Sequence, residues 1–407
     1  MSDTGERHAS WLELFFDLVV VVAVAQLAHR LTHPTWVDVG LFVALYYAVW
    51  SVWTSLTLYS NVRGDRTQLR SMLFGMFGIA VMAAAAPEVA NHLPGGLGER
   101  DQWFAAAYIF CRLSASRSLQ QGGTVITGWP AAQLGAGIGP WLASLWIDDP
   151  FWRYALWGFG VFVDIFITVM QGRHPEHLMA EMRKQAERMR KRLAKRGRQE
   201  EFPMPAPAIL HNAHLGERLG LFVIIVLGEA VMQVVIVASE DNVWDWQLGV
   251  AALAGFGLVV SLWWLTLQYG LSAVPNAPEI GLKPVLILPA HFLMTAAITA
   301  AAAGLGVVAH DAAHTMPAGV RWLLCGGLGL YFAVSAVLGI AGRASTRWIF
   351  IWGLPTVVAP VLIGLLGARL AGWGLVALLL AVALWRVLYR APFLSRVSRV
   401  GEVSPST

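Results

Sequence analysis

The sequence predicts an all-α polytopic membrane protein with about twelve transmembrane helices, arranged as two parallel six-helix halves. Three observations predict it. Hydrophobic residues make up 57% of the 407-residue chain and charged residues only 13%, with a mean hydropathy of +0.59. Soluble domains carry about a quarter charged residues. A chain this poor in charge cannot cover a water-facing surface and must turn much of its surface to lipid. Apolar stretches of bilayer-crossing length, about 20 residues, recur along the whole chain. Lys and Arg alternate between the intervening loops as the positive-inside rule requires.

Spans are expected near residues 11–30, 37–59, 70–90, 102–119, 129–147, 152–171, 209–238, 247–271, 284–309, 320–341, 347–367 and 370–390. The first ten residues, MSDTGERHAS, are polar and mixed in charge. No small-residue cleavage site closes the first apolar run, so direct insertion is expected. The fourth span is the least apolar: Gln102, Arg112 and Arg117 make it a broken or interior helix. The third and fifth are rich in Gly and Ala, which suits close helix packing. One set of loops carries Arg63, Arg66 and Arg70, then Arg117, the basic run of 173–198, Lys283, Arg343 and Arg347, and the tail with Arg396 and Arg399. The alternate loops at 88–101, 148–149, 239–245 and 310–314 are neutral or acidic. This places both termini in the cytoplasm, with the chain spanning the cytoplasmic membrane. The 19 Trp suit a protein with two membrane interfaces.

Residues 1–171 and 208–392 form the expected halves, with a cytoplasmic tail at 393–407. Between the halves, 172–207 reads as a basic linker. There Leu178, Met182, Gln185, Met189 and Leu193 recur at helical spacing, with basic residues opposite. This predicts an amphipathic helix, closed by Gly197 and a Pro-rich exit, resting on anionic lipid headgroups. Membrane lipids are thus expected partners and nucleic acid is not. With six spans per half, a duplication would be parallel. Glu13 lines up with Glu217, and Trp53 and Tyr59 line up with Trp263 and Tyr269, as an internal repeat would have them.

Ionisable residues inside the membrane are costly unless paired, so each is a candidate for function. In the first span, Glu13 and Asp17 lie one turn apart on one face. Two carboxylates so placed can share a proton or bind a cation. His29 and Arg30 close that span and can snorkel. In the seventh span Glu217 and Arg218 open the helix, and Glu229 lies roughly 18 Å further along the axis. Gly228 before it would admit another helix. Asp164 in the sixth span and Arg112 in the fourth are possible counter-charges. Arg218 is the expected partner of Glu13. His211, His214, His291, Gln268 and Tyr269 are further polar candidates, and Tyr46, Tyr47, Trp50 and Trp53 would pack or wall a cavity.

Cys111 and Cys325 lie in apolar segments without His at metal-ligand spacing and read as packing residues. Asn61 and Asp65 resemble half of the Asn/Asp-rich magnesium motif of membrane prenyltransferases, but Arg63 and Arg66 crowd it and no second acidic loop follows. No nucleotide-loop, dinucleotide, zinc-protease or serine-hydrolase motif is present, and neither a cofactor nor a metal is expected.

WLELFFDLVVVVAVAQL near the start and ERLGLFVIIVLGEAV after the linker resemble the two signature stretches of the bacterial low temperature requirement protein A (LtrA) family. The aromatic run YYAVWSVWTSLTLYSN is similar to that family's second span. The resemblance covers nearly the whole chain. It implies a polytopic membrane protein, linked by name to growth in the cold. It marks Glu13, Phe15, Phe16, Asp17, Glu217, Arg218, Gly228 and Glu229. This chain has Val-Val where many relatives have an aromatic after Leu18. Tandem halves with buried carboxylates point to a proton- or cation-coupled transporter of a small solute, with Glu229 as the coupling site and Glu13 with Asp17 as a gate or a second coupling site. An enzyme acting on a lipid or isoprenoid, and a structural or regulatory membrane protein, are the alternatives.

Overall fold

A computed structural model of the chain describes residues 8–32, 34–90, 100–120, 123–172, 175–195, 204–240, 244–270 and 283–388. The close of the linker at Gly197 and the tail with Arg396 and Arg399 lie outside the described residues. The structure is built of helices: α1 (Trp11–His29), α2 (Trp36–Arg63), α3 (Leu69–Ala85), α4 (Arg100–Gln120), α5 (Ala131–Leu134), α6 (Ile138–Ala143), α7 (Pro150–Gly172), α8 (Pro175–Lys195), α9 (Asn212–Glu240), α10 (Trp246–Trp263), α11 (Pro284–His310), α12 (Ala318–Ala341), α13 (Thr346–Trp348), α14 (Leu354–Leu366) and α15 (Gly372–Val387). Two short strands, β1 (Thr124–Val125) and β2 (Ala206–Pro207), pair in parallel.

Among the described residues, nine helices are long and apolar enough to cross a membrane. The three remaining expected spans differ for separate reasons. Helix α4 is continuous and 21 residues long, but Arg100, Asp101, Arg112 and Arg117 keep it from being apolar. Helix α15 has 16 residues, short of a full crossing. The stretch expected to form the fifth span is not one helix. It divides into α5 and α6 at Gly135, which sits in the left-handed region at φ 58°. Gly137, Gly139 and Pro140 follow, a run that breaks helices in a chain this apolar.

The chain forms two compact units. One comprises Met1–Arg30, Trp36–Phe222 and Lys283–Leu288; the other comprises Leu31–Thr35, Val223–Leu282 and Pro289–Thr407. Helix α9 contributes to both.

In the first unit α2 is the central helix. Nearly every residue from Leu41 to Asn61 is buried, because apolar, aromatic and small hydroxyl residues run around its whole circumference. Small residues set the close contacts expected for α3. A Cβ at Gly78 would overlap Cys111 Sγ, and one at Gly75 would overlap the Leu56 side chain. Cys111 is therefore a packing residue of the α3–α4 crossing. Ser71 and Ser118 hydroxyls meet across it at 2.9 Å. Helix α7 turns Phe159, Phe162 and Phe166 outward as a stacked row, each more than half exposed. Such a row is untenable in water and suits hydrocarbon. Helix α8 packs Leu178 and Ala186 inward, while Gln185 and Met189 are exposed. Arg30 does not reach away from the protein. Its guanidinium donates to the carbonyls of Ala86 and Pro87 at 2.8 Å, capping the end of the α3 segment.

In the second unit glycine again brings helices together. A Cβ at Gly327 of α12 would lie 2.8 Å from the Ala297 carbonyl of α11, and one at Gly364 of α14 would lie 3.1 Å from Cys325 Cβ. Two π-helical turns interrupt this unit, Trp264–Gln268 after α10 and Ile349–Gly353 between α13 and α14.

Candidate functional site

The candidate site lies in the first unit, where one face of α1 meets the opening turns of α9 against α2. Ser10 caps α1. Glu13 N–H donates to Ser10 Oγ at 3.3 Å, and Ser10 N–H donates back to Glu13 Oε2 at 2.8 Å. This capping box satisfies two backbone donors at the helix start. Glu13 is 2% exposed, and its carboxylate also receives His214, with Nε2 3.3 Å from Oε1. One turn deeper, Asp17 is held in a fork by Arg218: Nη1 to Oδ2 at 2.6 Å and Nη2 to Oδ1 at 2.8 Å. Trp53 Nε1–H from α2 adds a third donor to Oδ1 at 2.8 Å. Arg218 is thus the partner of Asp17, which corrects the expected pairing with Glu13. The reason is register. On α9, His214 and Arg218 are one turn apart, as Glu13 and Asp17 are on α1, so the helices match residue to residue along one seam.

Asn61 sets the state of His214. Its side chain grips the His211 backbone in both directions: Oδ1 accepts from His211 N–H at 2.9 Å and Nδ2 donates to the His211 carbonyl at 3.0 Å. That fixes the amide orientation. The second Nδ2 hydrogen then points at His214 Nδ1, 3.0 Å away. Nδ1 must accept, so the imidazole carries its proton on Nε2, facing Glu13. Asn61 is committed to this clip and not to a metal, and Asp65 is exposed. Among the described residues no three His, Cys, Asp or Glu side chains gather as metal ligands.

The formal charges can be counted. Asp17 and Arg218 cancel. With His214 neutral, Glu13 carries the remaining negative charge of the four. Ser10 N–H and Oγ–H both donate to Glu13 Oε2, and His214 faces the same carboxylate.

Glu217 does not join this group. It is partly exposed at the rim, where its carboxylate accepts from Ala9 N–H at 3.2 Å. Glu229 belongs to the second unit. It is 1% exposed, and Oε1 accepts from Gln233 Nε2 on the same helix at 2.6 Å. Gly228 is exposed, and a Cβ there would meet nothing within 4 Å, so the expected close helix approach at that residue is absent among the described residues. His291 is fully buried in α11, and Tyr269 Oη donates to the Val387 carbonyl at 3.1 Å. Trp53 is fully buried whereas Trp263 is 37% exposed, so the two Trp of the proposed repeat stand in different surroundings.

Arg112 and Asp164 do meet, at 2.9 Å, both 1% exposed. Their remaining bonds explain their presence. Arg112 Nη2 donates to the Ala131 carbonyl at 2.8 Å, and Asp164 Oδ1 accepts from Gly137 N–H at 2.9 Å. Arg112 Nη1 donates to Ser55 Oγ at 2.8 Å. Irregular backbone at membrane depth needs substitute partners, and this pair supplies them to the broken α5–α6 segment. Gly137 permits the approach: a Cβ there would lie 2.5 Å from the Gly160 carbonyl and 2.6 Å from Asp164 Cγ.

Sequence reasoning passed over three features. The Ser10–Glu13 capping box was open to view as S-x-x-E. The Asp101–Arg153 pair, 2.9 Å apart with Tyr154 Oη also on Asp101, joins residues at the polar ends of two helices. Arg386, at the end of an apolar helix, gave no sign of turning inward.

The bacterial low temperature requirement A protein (LtrA) family pattern matches residues 8–387. The uncharacterized protein RA0937 of Rhizobium meliloti (strain 1021) is 27% identical over 303 residues, covering 69% of this chain. The match spans 64% of that relative's length. No solved structure matches. With apolar helices of spanning length and a family match running from the residues before α1 to the end of α15, the chain is an integral membrane protein that belongs to the bacterial low temperature requirement A family.

Proposed function

We propose that the protein is a proton- or cation-coupled secondary transporter of a small solute, with Glu13 as the coupling group. The observation that carries this reading is the buried seam of α1 and α9. There one charge pair, Asp17 with Arg218, is complete, and beside it Glu13 faces a histidine that is neutral as placed. Protonating Glu13 removes the charge that Ser10 and His214 now face, which ties its protonation to the seam of α1 and α9. Arg218 is the fixed counter-charge. Glu229, buried further along α9, is a second carboxyl able to take part.

The test uses the full-length protein in liposomes holding an imposed pH gradient, read by an internal dye. Sodium, potassium, sugars and amino acids are added in turn. One of them is expected to collapse the gradient in the wild type and to fail in Glu13→Gln and His214→Gln. The reading is wrong if no addition acts, or if both variants and Glu229→Gln behave as wild type.

A structural reading is favoured by one observation, the bracing of α5–α6 by Arg112 and Asp164. On that reading the buried charges hold irregular backbone in place, and neutralising them costs folding alone.

A further inference from the structure

We propose that the second unit holds an oxyanion site built on Arg386, which takes a carboxylate or phosphate group. The site is independent of the coupling reading, since it lies in other helices and binds whether or not transport occurs.

Helix α15, GWGLVALLLAVALWRV, carries one charge, Arg386 in its last turn. A guanidinium so placed ordinarily snorkels to the interface. Here it turns inward and is 1% exposed. Nη1 donates to Thr356 Oγ1 at 3.0 Å and to the Trp352 carbonyl at 3.4 Å, and Nη2 donates to Ser335 Oγ at 3.0 Å. The guanidinium carbon lies 4.3 Å above the Trp348 ring centroid and 6.0 Å from that of Phe332. Every one of these partners is neutral. Among the described residues the other buried arginines, Arg112, Arg153 and Arg218, each meet a carboxylate; Arg386 meets none.

Two donors at this place are also without hydrogen bonds among the described residues: Arg386 Nε–H and the indole Nε1–H of Trp348, the ring beneath it. The cluster is therefore rich in donors and carries an uncompensated positive charge, which is costly to bury. An oxyanion answers both, because two oxygens in a plane match the guanidinium fork. The backbone is unusual at this place as well. The π-helical turn Ile349–Gly353 supplies the Trp352 carbonyl. A second π-helical turn holds Thr266, whose hydroxyl meets Tyr331 Oη at 2.7 Å, one turn before Ser335 on α12. Single π turns are frequent at functional sites.

The experiment heats the full-length protein in phosphatidylcholine nanodiscs at constant ionic strength and follows tryptophan fluorescence. Acetate and inorganic phosphate probe a soluble source. Replacing part of the lipid with phosphatidylglycerol probes a headgroup. A ligand that binds the folded state raises its midpoint in a saturable way. At least one probe is expected to do so in the wild type, and Arg386→Gln is expected to abolish the response. Should that variant fail to fold, Ser335→Ala and Thr356→Val keep the charge and are each expected to weaken the apparent affinity about fivefold, the worth of one hydrogen bond. The proposal fails if no probe moves the wild-type midpoint, or if the variants respond as wild type. It also fails if Glu279→Gln or Glu402→Gln, carboxylates outside the described residues, lowers the midpoint as Arg386→Gln does while no probe acts.

Discussion

Asp17 and Arg218 show what one buried pair does in this protein. The fork of two hydrogen bonds and the Trp53 indole leave Asp17 fully engaged. Removing one charge strands the other in a low-dielectric interior, which costs about 3–5 kcal/mol. Asp17→Asn is therefore expected to unfold far more readily than the double variant Asp17→Leu with Arg218→Met, which removes both charges. Midpoints in detergent, read across the four-member cycle, check it. If the single and double variants are equally destabilised, the pair does not carry the stability assigned to it. Ser10→Ala tests the capping box. It is expected to cost about 1 kcal/mol, and it removes a donor from Glu13. The carboxylates at both positions were legible in the sequence. Their partners were not, because partner choice depends on the relative register of α1 and α9, helices two hundred residues apart along the chain.

At the scale of the element, the broken α5–α6 segment is the instructive one. Its composition satisfies a hydropathy criterion, yet Gly135 at positive φ divides it, and the freed backbone groups find Arg112 and Asp164 in place of helix partners. Two glycines in the same segment separate packing from mere flexibility. Gly137→Ala drives a methyl into the Gly160 carbonyl, whereas Gly139→Ala, with nothing within 4 Å, is expected to be neutral or slightly stabilising. A drop in midpoint for the first and not the second is the predicted outcome, measured side by side. An equal response would mean that the α6–α7 contact is looser than drawn. Gly228→Ala belongs to the same series. Its surroundings are open, so folding is expected to be unaffected, and any loss of activity there would come from something other than helix packing. Sequence showed that Gly and Ala cluster in these segments, but which glycine stands at a contact is a property of the neighbour.

For the whole molecule, the alternation of basic loops predicts that α8 and both termini face the cytoplasm. A single cysteine replacing the exposed Glu176, in a background with Cys111 and Cys325 changed to Ala, is expected to resist membrane-impermeant thiol reagent in intact cells and to react once cells are opened. Labelling in intact cells would overturn the orientation. The outward row Phe159, Phe162 and Phe166 gives a matching expectation for depth. Phe162→Arg is expected to hinder insertion by about 2.5–3.5 kcal/mol, and comparable membrane yields for variant and wild type would place that face elsewhere.

By itself the sequence determined the class of this protein, since a chain with 13% charged residues and repeated apolar stretches can satisfy its backbone in lipid only as helices. It also determined the family, through the two acidic signature stretches, and picked out Glu13, Asp17, Arg218, Asp164 and Arg112 as the residues that need an explanation. The tertiary structure alone decided what those charges meet: Arg218 on Asp17, His214 on Glu13 with its tautomer set by Asn61, and Arg112 and Asp164 on a broken segment; it also turned Arg386 inward among neutral hydroxyls. The physical reason is that burying a charge is a local cost that sequence reveals, whereas relieving it requires a partner whose distance is set by helix register and by the glycines that let helices approach.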